Sequence, residues 1–528
     1  MKTVLRYPAS LYVFLMLAGL SGAGLVIAAV SLYGPGLTHD STAYIFAAKS
    51  LLKGSGLEYF GYPSPFIQWP PLYPILLAAA QVLGIGHPEA SAAINAIAHG
   101  LIIIITGYWL YSRLKCKLCA IFGTVLLVFS LPLIQVSKYL WTETLFILFF
   151  ILFYINLENF IKSQRYSYLT LAGIFAALAC VDRYAGVTVV LTAAIFLLFQ
   201  RKSLAVKVRD IFIFGIISCI PLAAWVIRNW LVSATLLGVR IPSTYGLALN
   251  IKRSIQSVYT WIMPDTVLSG VIPASIIKVL MLFTAILPAI IIMALILWYF
   301  YIVINKKSFI MNENRASEFV SRDYAIIFMV VFSSIYIVYL LASATKVLFE
   351  PINSRYLIPV YIPGIVIILC ALDLLTEKFT WQLKAFTRKS MIILLGLFLI
   401  YPALNTVAAV AGYAANGAGG YSTKVLHENE LIAYVRQNSK ACTYYSNNAD
   451  VVSALTGIRT FYPPKRQGPY MYGLEQFEKA VENDKCPVFI WFRSGAASSL
   501  YDIDDIGKLY KLETVEQFES GTVYEIVK

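Results

Sequence analysis

Long apolar runs separated by short polar segments fill most of the chain. The first run covers residues 9–32. Ten more cover residues 90–112, 118–136, 143–161, 167–181, 184–200, 211–231, 280–304, 324–345, 357–375 and 391–413. Most have close to the roughly 20 residues with which an α-helix crosses a bilayer. The pattern predicts an all-α polytopic membrane bundle with about 11 transmembrane helices.

A shorter apolar run, residues 71–86, decides the predicted topology. If it enters the outer leaflet without crossing, every strongly basic short loop falls on one side, and Lys and Arg are enriched in cytoplasmic loops. We therefore predict a re-entrant or juxtamembrane helix here and a cytoplasmic N-terminus. The loops predicted to be cytoplasmic lie at residues 113–117, 162–165, 201–209, 306–322 and 378–389. The segments predicted to be outside are 34–89, 232–279, 346–356 and the C-terminus.

The pattern changes near residue 415, where helical and strand-like segments begin to alternate. Helices are predicted at 427–439 and 474–483, and strands at 441–445, 486–492 and 522–527. Such alternation is typical of a small α/β domain. We divide the chain into a membrane domain, 1–414, whose first outer loop is 34–89, and an extracytoplasmic α/β accessory domain, 415–528. The accessory domain is expected to bind an acceptor or to cap the site.

Composition supports a membrane protein. Of the 528 residues, 59% are hydrophobic and only 13% are charged, and the mean hydropathy is +0.72. These values exclude a large soluble or disordered protein, because soluble domains carry about 25% charged residues. The net charge of +14 fits basic cytoplasmic loops. No basic run is interleaved with aromatic residues in the manner of a nucleic-acid groove, so we expect membrane lipids and no nucleic acid as partners.

The seven cysteines suggest one disulfide and no metal cluster. Cys442 and Cys486 both lie in the C-terminal region and can pair if that region is outside the cytosol. Cys116 and Cys119 form a C-x-x-C motif without a second pair at zinc-site spacing, so we interpret them as structural. No His and Cys pattern predicts a dedicated metal site.

The first outer loop contains the first residues that suggest chemistry. His39 and Asp40 follow the first apolar run, and the spacing of the residues after them predicts an interfacial helix that ends at Gly54. Asp40 has two compatible interpretations. It is placed to cap that helix, and it is also a carboxylate at the membrane surface, where the headgroup of a lipid-linked substrate would lie.

At these residues the chain resembles the GT-C membrane glycosyltransferases. The branch that it resembles most is shared by protein mannosyltransferases and lipid A aminoarabinose transferases. The motifs that carry the resemblance are Asp40-x3-Tyr44-x2-Ala47, Gly54-x-Gly56, Trp69-Pro70-Pro71-Leu72-Tyr73-Pro74, Trp141-Thr142-Glu143-Thr144-Leu145-Phe146, Arg183-Tyr184-Ala185-Gly186, Pro221 with Trp225, Arg228 and Asn229, and Arg355-Tyr356-Leu357-x-Pro359. Two positions depart from the pattern: Trp69 stands where the aminoarabinose branch has lysine, and Ser41 stands where many relatives have an acid. The donor sugar and acceptor of those branches therefore do not carry over.

The resemblance implies an enzyme of the plasma (inner) membrane. Such an enzyme would move a hexosyl or pentosyl group from a polyprenyl-phosphate donor to a hydroxyl of a lipid, glycan or protein acceptor on the outer face, with inversion. Asp40 would be the general base, and Glu143 would orient a substrate or help to hold a divalent cation such as Mg²⁺ or Mn²⁺. The expected substrate-binding residues are His39, Tyr44, Trp69, Arg183, Arg228 and Arg355, whose arginines suit a leaving phosphate.

Structural interpretations compete with these roles. The arginines can lie at the interface with their charged ends in water. Glu143 can pair with Lys138 or favour the start of a helix, and Asp182 can be a local partner of Arg183. Lys49 and Arg240 rank below Arg183 and Arg228, which lie nearer the ends of predicted spans.

Two other functions remain open at this point. One is a transporter or flippase of a lipid-linked glycan or small solute, although its polar groups would be expected at mid-membrane. The other is an O-antigen-type polymerase or ligase.

Overall fold

The computed structural model describes residues 7–262, 273, 275–276, 279, 322–379, 386–466, 472–494 and 499–527. Its membrane domain is helical. The helices, in chain order, are α1 (Ala9–Ala29), α2 (His39–Leu52), α3 (Leu72–Val82), α4 (His87–Arg113), α5 (Lys117–Val128), α6 (Leu131–Ser137), α7 (Glu143–Ser163), α8 (Tyr166–Asp182), α9 (Val187–Leu198), α10 (Leu204–Ser233), α11 (Leu247–Ile262), α12 (Arg322–Lys346), α13 (Ser354–Leu357), α14 (Tyr361–Phe379) and α15 (Phe386–Asn416).

Among the described residues, seven helices are long and apolar enough to cross a membrane. The pair α5 and α6, bent by 42°, makes an eighth if it is counted as one span. The shorter apolar helices α8 and α9 coincide with two further predicted spans. The predicted span at 280–304 and the predicted basic residues between 306 and 321 lie outside the described residues. The predicted all-α membrane bundle is confirmed, and the number of eleven spans stays a prediction.

Helix α3 has 11 residues, about half the length that a crossing requires. Pro71 immediately precedes it as the N-cap residue and separates the helix from the loop that contains Trp69. This short helix occupies the run that we predicted to enter the membrane without crossing.

Small residues let the first two long helices approach closely. A Cβ built on Gly19 of α1 would lie 2.9 Å from the carbonyl oxygen of Gly100 of α4. Such contacts are common between membrane helices, because van der Waals packing is a main source of their association. The centre of the bundle is filled by aromatic side chains of α7 and α12, including Phe150 and Phe332, whose ring centroids are 4.0 Å apart.

Ion pairs distinguish the two ends of the bundle. At one end, which we call the basic end, Arg113 and Lys162 bind Glu158 at 3.1 and 2.6 Å. Arg322 pairs with Asp373 at the same end. Helix α7 runs from Glu143 to this end, so Glu143 marks the opposite end, which we call the site end.

The C-terminal domain contains a five-stranded mixed sheet. Its elements are α16 (Lys424–His427), α17 (Glu430–Gln437), β1 (Thr443–Ser446), α18 (Ala449–Thr456), β2 (Thr460–Phe461), α19 (Leu474–Asn483), β3 (Pro487–Phe492), α20 (Ile503–Leu509), β4 (Lys511–Phe518) and β5 (Gly521–Val527). The strand order is β2-β1-β3-β5-β4, in which β1 is parallel to β2 and β3, and β5 is antiparallel to β3 and β4. The prediction of a small α/β domain is confirmed, although α16, α18, α20 and strands β2 and β4 were not predicted.

Cys442 and Cys486 form a disulfide beside β1 and β3. The sequence left this pairing conditional on an extracytoplasmic location. Because disulfides persist mainly in oxidising compartments, the bond is consistent with a domain outside the cytosol.

The C-terminal domain is docked on the first outer loop. Arg459 donates to the Glu58 carboxylate at 2.9 Å and to the Tyr59 carbonyl at 2.7 Å. The segment after α15 passes very close to the loop, because Tyr421 N–H donates to the Leu37 carbonyl at 2.7 Å. A side chain at Gly420, whose φ is +60°, would meet that carbonyl, so the approach requires glycine. These contacts place the sheet domain over the site end.

Candidate active site

Helix α2 places the first candidate residues. Thr38 is its N-cap, and Ser41 Oγ accepts the Thr38 backbone N–H at 3.0 Å. Asp40 is therefore inside the first turn, and our interpretation of Asp40 as the cap is wrong. The negative charge is still favoured there by the helix dipole. The predicted helix itself is present. Its location was predicted wrongly: residues 41–48 are all buried between the bundle and the C-terminal domain instead of lying in the membrane interface.

A chain of ion pairs joins four separate segments at the site end. Arg355 Nη2 donates to Asp40 Oδ2 at 2.6 Å, and Arg355 Nε donates to Glu143 Oε1 at 2.6 Å. Arg183 Nη1 lies 2.5 Å from the same Glu143 oxygen. We call these four residues the ion-pair network. Two carboxylates and two guanidinium groups balance in charge, which is how charges buried at membrane depth are stabilised.

Neighbouring side chains hold the network in place. The Arg355 guanidinium lies over the Trp141 ring, 3.9 Å from its centroid, and Trp141 is stacked on Tyr139. Trp141 Nε1 donates to Thr38 Oγ1 at 2.9 Å. Thr142 Oγ1 accepts from Arg183 at 2.9 Å. The aromatic and hydroxyl contacts fix both guanidinium groups against the start of α7 and the N-cap of α2.

Exposure separates the two carboxylates. The Asp40 side chain is 23% exposed, whereas that of Glu143 is fully buried. Burial is the largest single influence and opposes ionisation of Asp40, but the Arg355 guanidinium, together with His39 and Arg183, holds the pKa of Asp40 below its usual value. Asp40 is therefore an ionised carboxylate that a substrate can reach, and Glu143 is an anchor for the two arginines.

Two ion pairs considered from the sequence are not present among the described residues, although Glu143 does begin α7, as the other interpretation of it expected. Lys138 does not pair with Glu143; its ammonium group donates to the Ala418 carbonyl and lies 3.8 Å from the Tyr413 ring centroid. Asp182 does not pair with Arg183, because the Arg183 guanidinium points to Glu143. Within the described part of the chain, neither carboxylate oxygen of buried Asp182 has a hydrogen-bond partner.

An open cleft of about 380 Å³ lies beside the network, between the first outer loop, residues 239–241 and the C-terminal domain. His39 and Trp69 line it. His39 Nε2 is 2.9 Å from the Tyr59 hydroxyl, and its Nδ1 is 3.5 Å from Asp450 Oδ2. Tyr44 is buried behind Trp69, with ring centroids 6.1 Å apart. Tyr44 thus supports the cleft rather than lining it.

The remaining cations have different surroundings. Arg228 donates to the Phe66 carbonyl at 2.7 Å and to that of Leu57 at 3.3 Å, which fixes the first outer loop. It makes no bond to the ion-pair network. Arg240, which ranked lower from the sequence, donates to the Gln68 carbonyl at 2.9 Å and lines the cleft. Lys49 donates to the Gly457 carbonyl at 3.1 Å and contributes to docking.

The Arg355 guanidinium binds both carboxylates of the network. A divalent cation held with the help of Glu143 stays a prediction. In the described ranges, no group of three or more His, Cys, Asp or Glu side chains is arranged to hold a metal ion.

The comparisons with known proteins agree with this architecture. A family model for dolichyl-phosphate-mannose-protein mannosyltransferases matches residues 68–227, which is less than half of the chain. No curated protein matches the sequence. Crystal structures of ArnT from Cupriavidus metallidurans superpose with TM-scores of 0.58 in the apo state and 0.60 with undecaprenyl phosphate bound. Each has 10% identity and covers 98% of both chains.

The chain has the GT-C fold. A second protein of known structure is also similar. It is the archaeal oligosaccharyltransferase AglB from Archaeoglobus fulgidus, in complex with an inhibitory peptide and a dolichol-phosphate. It has a TM-score of 0.50 and 14% identity, and the match covers 91% of this chain and 69% of AglB. The resemblance to GT-C membrane glycosyltransferases that the motifs suggested is confirmed at the level of the fold.

Several residues of the site were not predicted from the sequence. Asp450, Tyr462 and Lys465 belong to the C-terminal domain and reach the cleft or His39 across about 400 residues of sequence. No local motif surrounds them. Arg240 was visible as a cation in an outer segment, but its place on the cleft depends on its hydrogen bond to Gln68.

Proposed function

We propose that the chain is an integral-membrane glycosyltransferase that moves a sugar from a polyprenyl-phosphate donor to an acceptor hydroxyl. The observation that supports this most is the ion-pair network. A reachable carboxylate, Asp40, lies at one end of a GT-C bundle beside guanidinium groups from two distant segments. Such a pairing supplies a proton acceptor and fixed positive charge for a departing phosphate.

The choice of donor follows from the structural relatives. One ArnT structure contains undecaprenyl phosphate, and the AglB structure contains a dolichol-phosphate. Both are polyprenyl phosphates. Such a tail would lie among the apolar helices of the bundle, while the site end offers arginines for the phosphate.

The reaction proceeds by one displacement. The acceptor hydroxyl oxygen attacks the anomeric carbon while its proton passes to Asp40. The bond between the anomeric carbon and the phosphate oxygen breaks, and polyprenyl phosphate leaves with that electron pair. Attack opposite the leaving group inverts the anomeric configuration. Since Asp40 Oδ2 is held by Arg355, Oδ1 is the oxygen that faces the acceptor.

The arginines stabilise the phosphate as negative charge develops on it. Arg183 and Arg355 are kept in place by Glu143, so little rearrangement is needed during the reaction. Such preorganised charge in a site with little water is usually the largest single contribution to rate. Arg228 holds the first outer loop and adds positive charge at the same end.

We place the reaction on the outer face of the plasma (inner) membrane. The site end lies opposite the basic end, and basic loops favour the cytoplasm. The disulfide between Cys442 and Cys486, on the same side as the site, belongs in an oxidising compartment. The first outer loop and the C-terminal domain would then both be extracytoplasmic.

The proposal is tested by giving the purified full-length protein, in lipid vesicles, polyprenyl-phosphate hexoses and pentoses labelled in the sugar. We expect release of free polyprenyl phosphate and transfer of the label to an acceptor. Addition of EDTA tests whether the reaction needs the predicted divalent cation. Movement of an intact donor across the bilayer without loss of its sugar would instead favour a flippase and contradict the proposal.

A further inference from the structure

The cleft beside the ion-pair network has walls from three parts of the chain. The first outer loop contributes His39, Tyr59 and Trp69, and the outer segment after α10 contributes Arg240. The C-terminal domain contributes Tyr462 and Lys465. Its volume of about 380 Å³ is within the usual range of small-ligand sites. Part of its wall is the sheet domain, so the cleft lies where that domain meets the outer segments of the membrane domain.

Aromatic rings form much of its surface. The rings of Tyr59 and Trp69 are nearly parallel, at 17°, with centroids 6.4 Å apart. Tyr62 and Tyr462 continue the surface, with centroids 5.6 Å apart. Aromatic faces carry partial negative charge, which suits the weakly positive C–H groups on one face of a sugar ring. The hydroxyl groups of the tyrosines add hydrogen-bonding partners.

The charged side chains that line the cleft are basic. Arg240 of the outer segment and Lys465 of the C-terminal domain both line it. No aspartate or glutamate is present among the described residues that line it. Arginine binds phosphate and carboxylate groups through a planar pair of N–H donors. The charge of the walls therefore favours an anionic ligand.

His39 connects the cleft to the reacting carboxylate. It is adjacent to Asp40 in the first turn of α2, and its two ring nitrogens lie near Tyr59 and Asp450. A ligand that contacts His39 therefore touches the residue that directly precedes Asp40 in the chain. The donor's lipid tail must arrive from the membrane helices, whereas the described lining of the cleft comes from outer segments and the C-terminal domain, which leaves the cleft for the acceptor.

We propose that this cleft is the acceptor subsite and that its ligand is a saccharide that carries a phosphate or carboxylate group. The C-terminal domain then forms one wall of that subsite rather than only an accessory cap. The assignment of the cleft to the acceptor rests on the proposed function; the saccharide and its negative charge follow from the lining residues.

The test measures binding to the full-length protein in detergent micelles by saturation-transfer NMR. The probes are glucose 6-phosphate, glucuronate, uncharged glucose and inorganic phosphate. We expect at least one anionic sugar to bind at least about tenfold more tightly than both glucose and inorganic phosphate, since hydrogen bonds to charged groups are stronger than those between neutral groups. Arg240→Gln should reduce binding of the anionic sugar to the level of glucose.

Arg436→Gln is the matched control, because Arg436 is an exposed arginine that also donates to a backbone carbonyl, that of Leu455, and does not line the cleft. Tyr462→Leu should weaken the binding of charged and uncharged sugars alike. The proposal is overturned if neither anionic sugar is preferred over glucose, or if Arg240→Gln binds the anionic sugars as the wild type does. Release of polyprenyl phosphate is measured on the same samples. If an anionic sugar binds selectively but no polyprenyl phosphate is released, the proposed function is rejected, whereas the assignment of an anionic saccharide to the cleft is retained.

Discussion

Asp40→Asn is expected to lower the rate of sugar transfer by about 10²–10⁴-fold, the usual contribution of a general base. The amide has nearly the same shape as the carboxylate, and its oxygen can still accept from Arg355. It cannot take the proton of the acceptor hydroxyl. The protein should therefore fold and bind donor normally, and the measurement is the single-turnover rate of polyprenyl-phosphate release in the presence of acceptor.

Asp504→Asn is the control for this experiment. Asp504 is an exposed aspartate of α20 in the C-terminal domain, outside the site. It should retain the wild-type rate. If Asp40→Asn also transferred sugar at that rate, Asp40 would not be the base, and the proton would have to leave by another route.

Arg355→Gln is expected to reduce the transfer rate by about 10²–10³-fold, as loss of a preorganised donor to developing charge does. It should also change the pH dependence. Arg355 is the main group that offsets the effect of burial and lowers the pKa of Asp40. Without it, burial dominates and that pKa rises. Because the base must be ionised, the acidic limb of the pH–rate profile should move to higher pH.

The pH–rate profile separates this role from a general loss of folding. A partly unfolded variant would lose activity at every pH without moving the acidic limb. Arg355→Lys should lie between the wild type and Arg355→Gln, because lysine keeps the charge but not the planar fork that bridges Asp40 and Glu143. An acidic limb of Arg355→Gln that stays in place, or moves to lower pH, would contradict the assigned coupling between these residues.

The sequence predicted those parts of the fold that depend on local pattern. Apolar runs of about 20 residues indicated the bundle, and the short run before Gly86 indicated a helix too short to cross. Alternation of helix and strand indicated the C-terminal domain. Strand β4 was missed because most of its residues are exposed or polar, so it lacks the alternation that marks a half-buried strand.

The sequence also indicated Asp40, Glu143, Arg183 and Arg355 as site residues, through motifs in four separate segments. It could not show that Glu143 binds both arginines, since each pairing depends on how α7, α8 and the segment before α14 pack. For the same reason it offered Lys138 as one possible ion-pair partner of Glu143. Contacts across hundreds of residues, such as His39 with Asp450, are set by docking of the C-terminal domain and leave no local signal.

The identity of the helix cap shows a finer limit. Both Thr38 and Asp40 are residue types that cap helices, and the sequence alone favoured Asp40. In the structure α2 begins at His39, two residues earlier than it would if Asp40 were the cap, because Thr38 and Ser41 form the reciprocal hydrogen-bonded pair at its N-terminus. This difference matters for function, because the Asp40 carboxylate accepts a hydrogen bond from Arg355 instead of capping the backbone N–H groups of the helix.

The proposed mechanism requires that Asp40 and the guanidinium groups share one substrate site at the end of the bundle opposite the basic loops. A structure of the full-length protein with polyprenyl phosphate bound would show whether they do. We expect the phosphate within about 3 Å of an Arg183, Arg228 or Arg355 nitrogen, with the tail between the membrane helices and Asp40 beside the phosphate. A phosphate bound at the basic end, near Arg113 or Arg322, would contradict the claim.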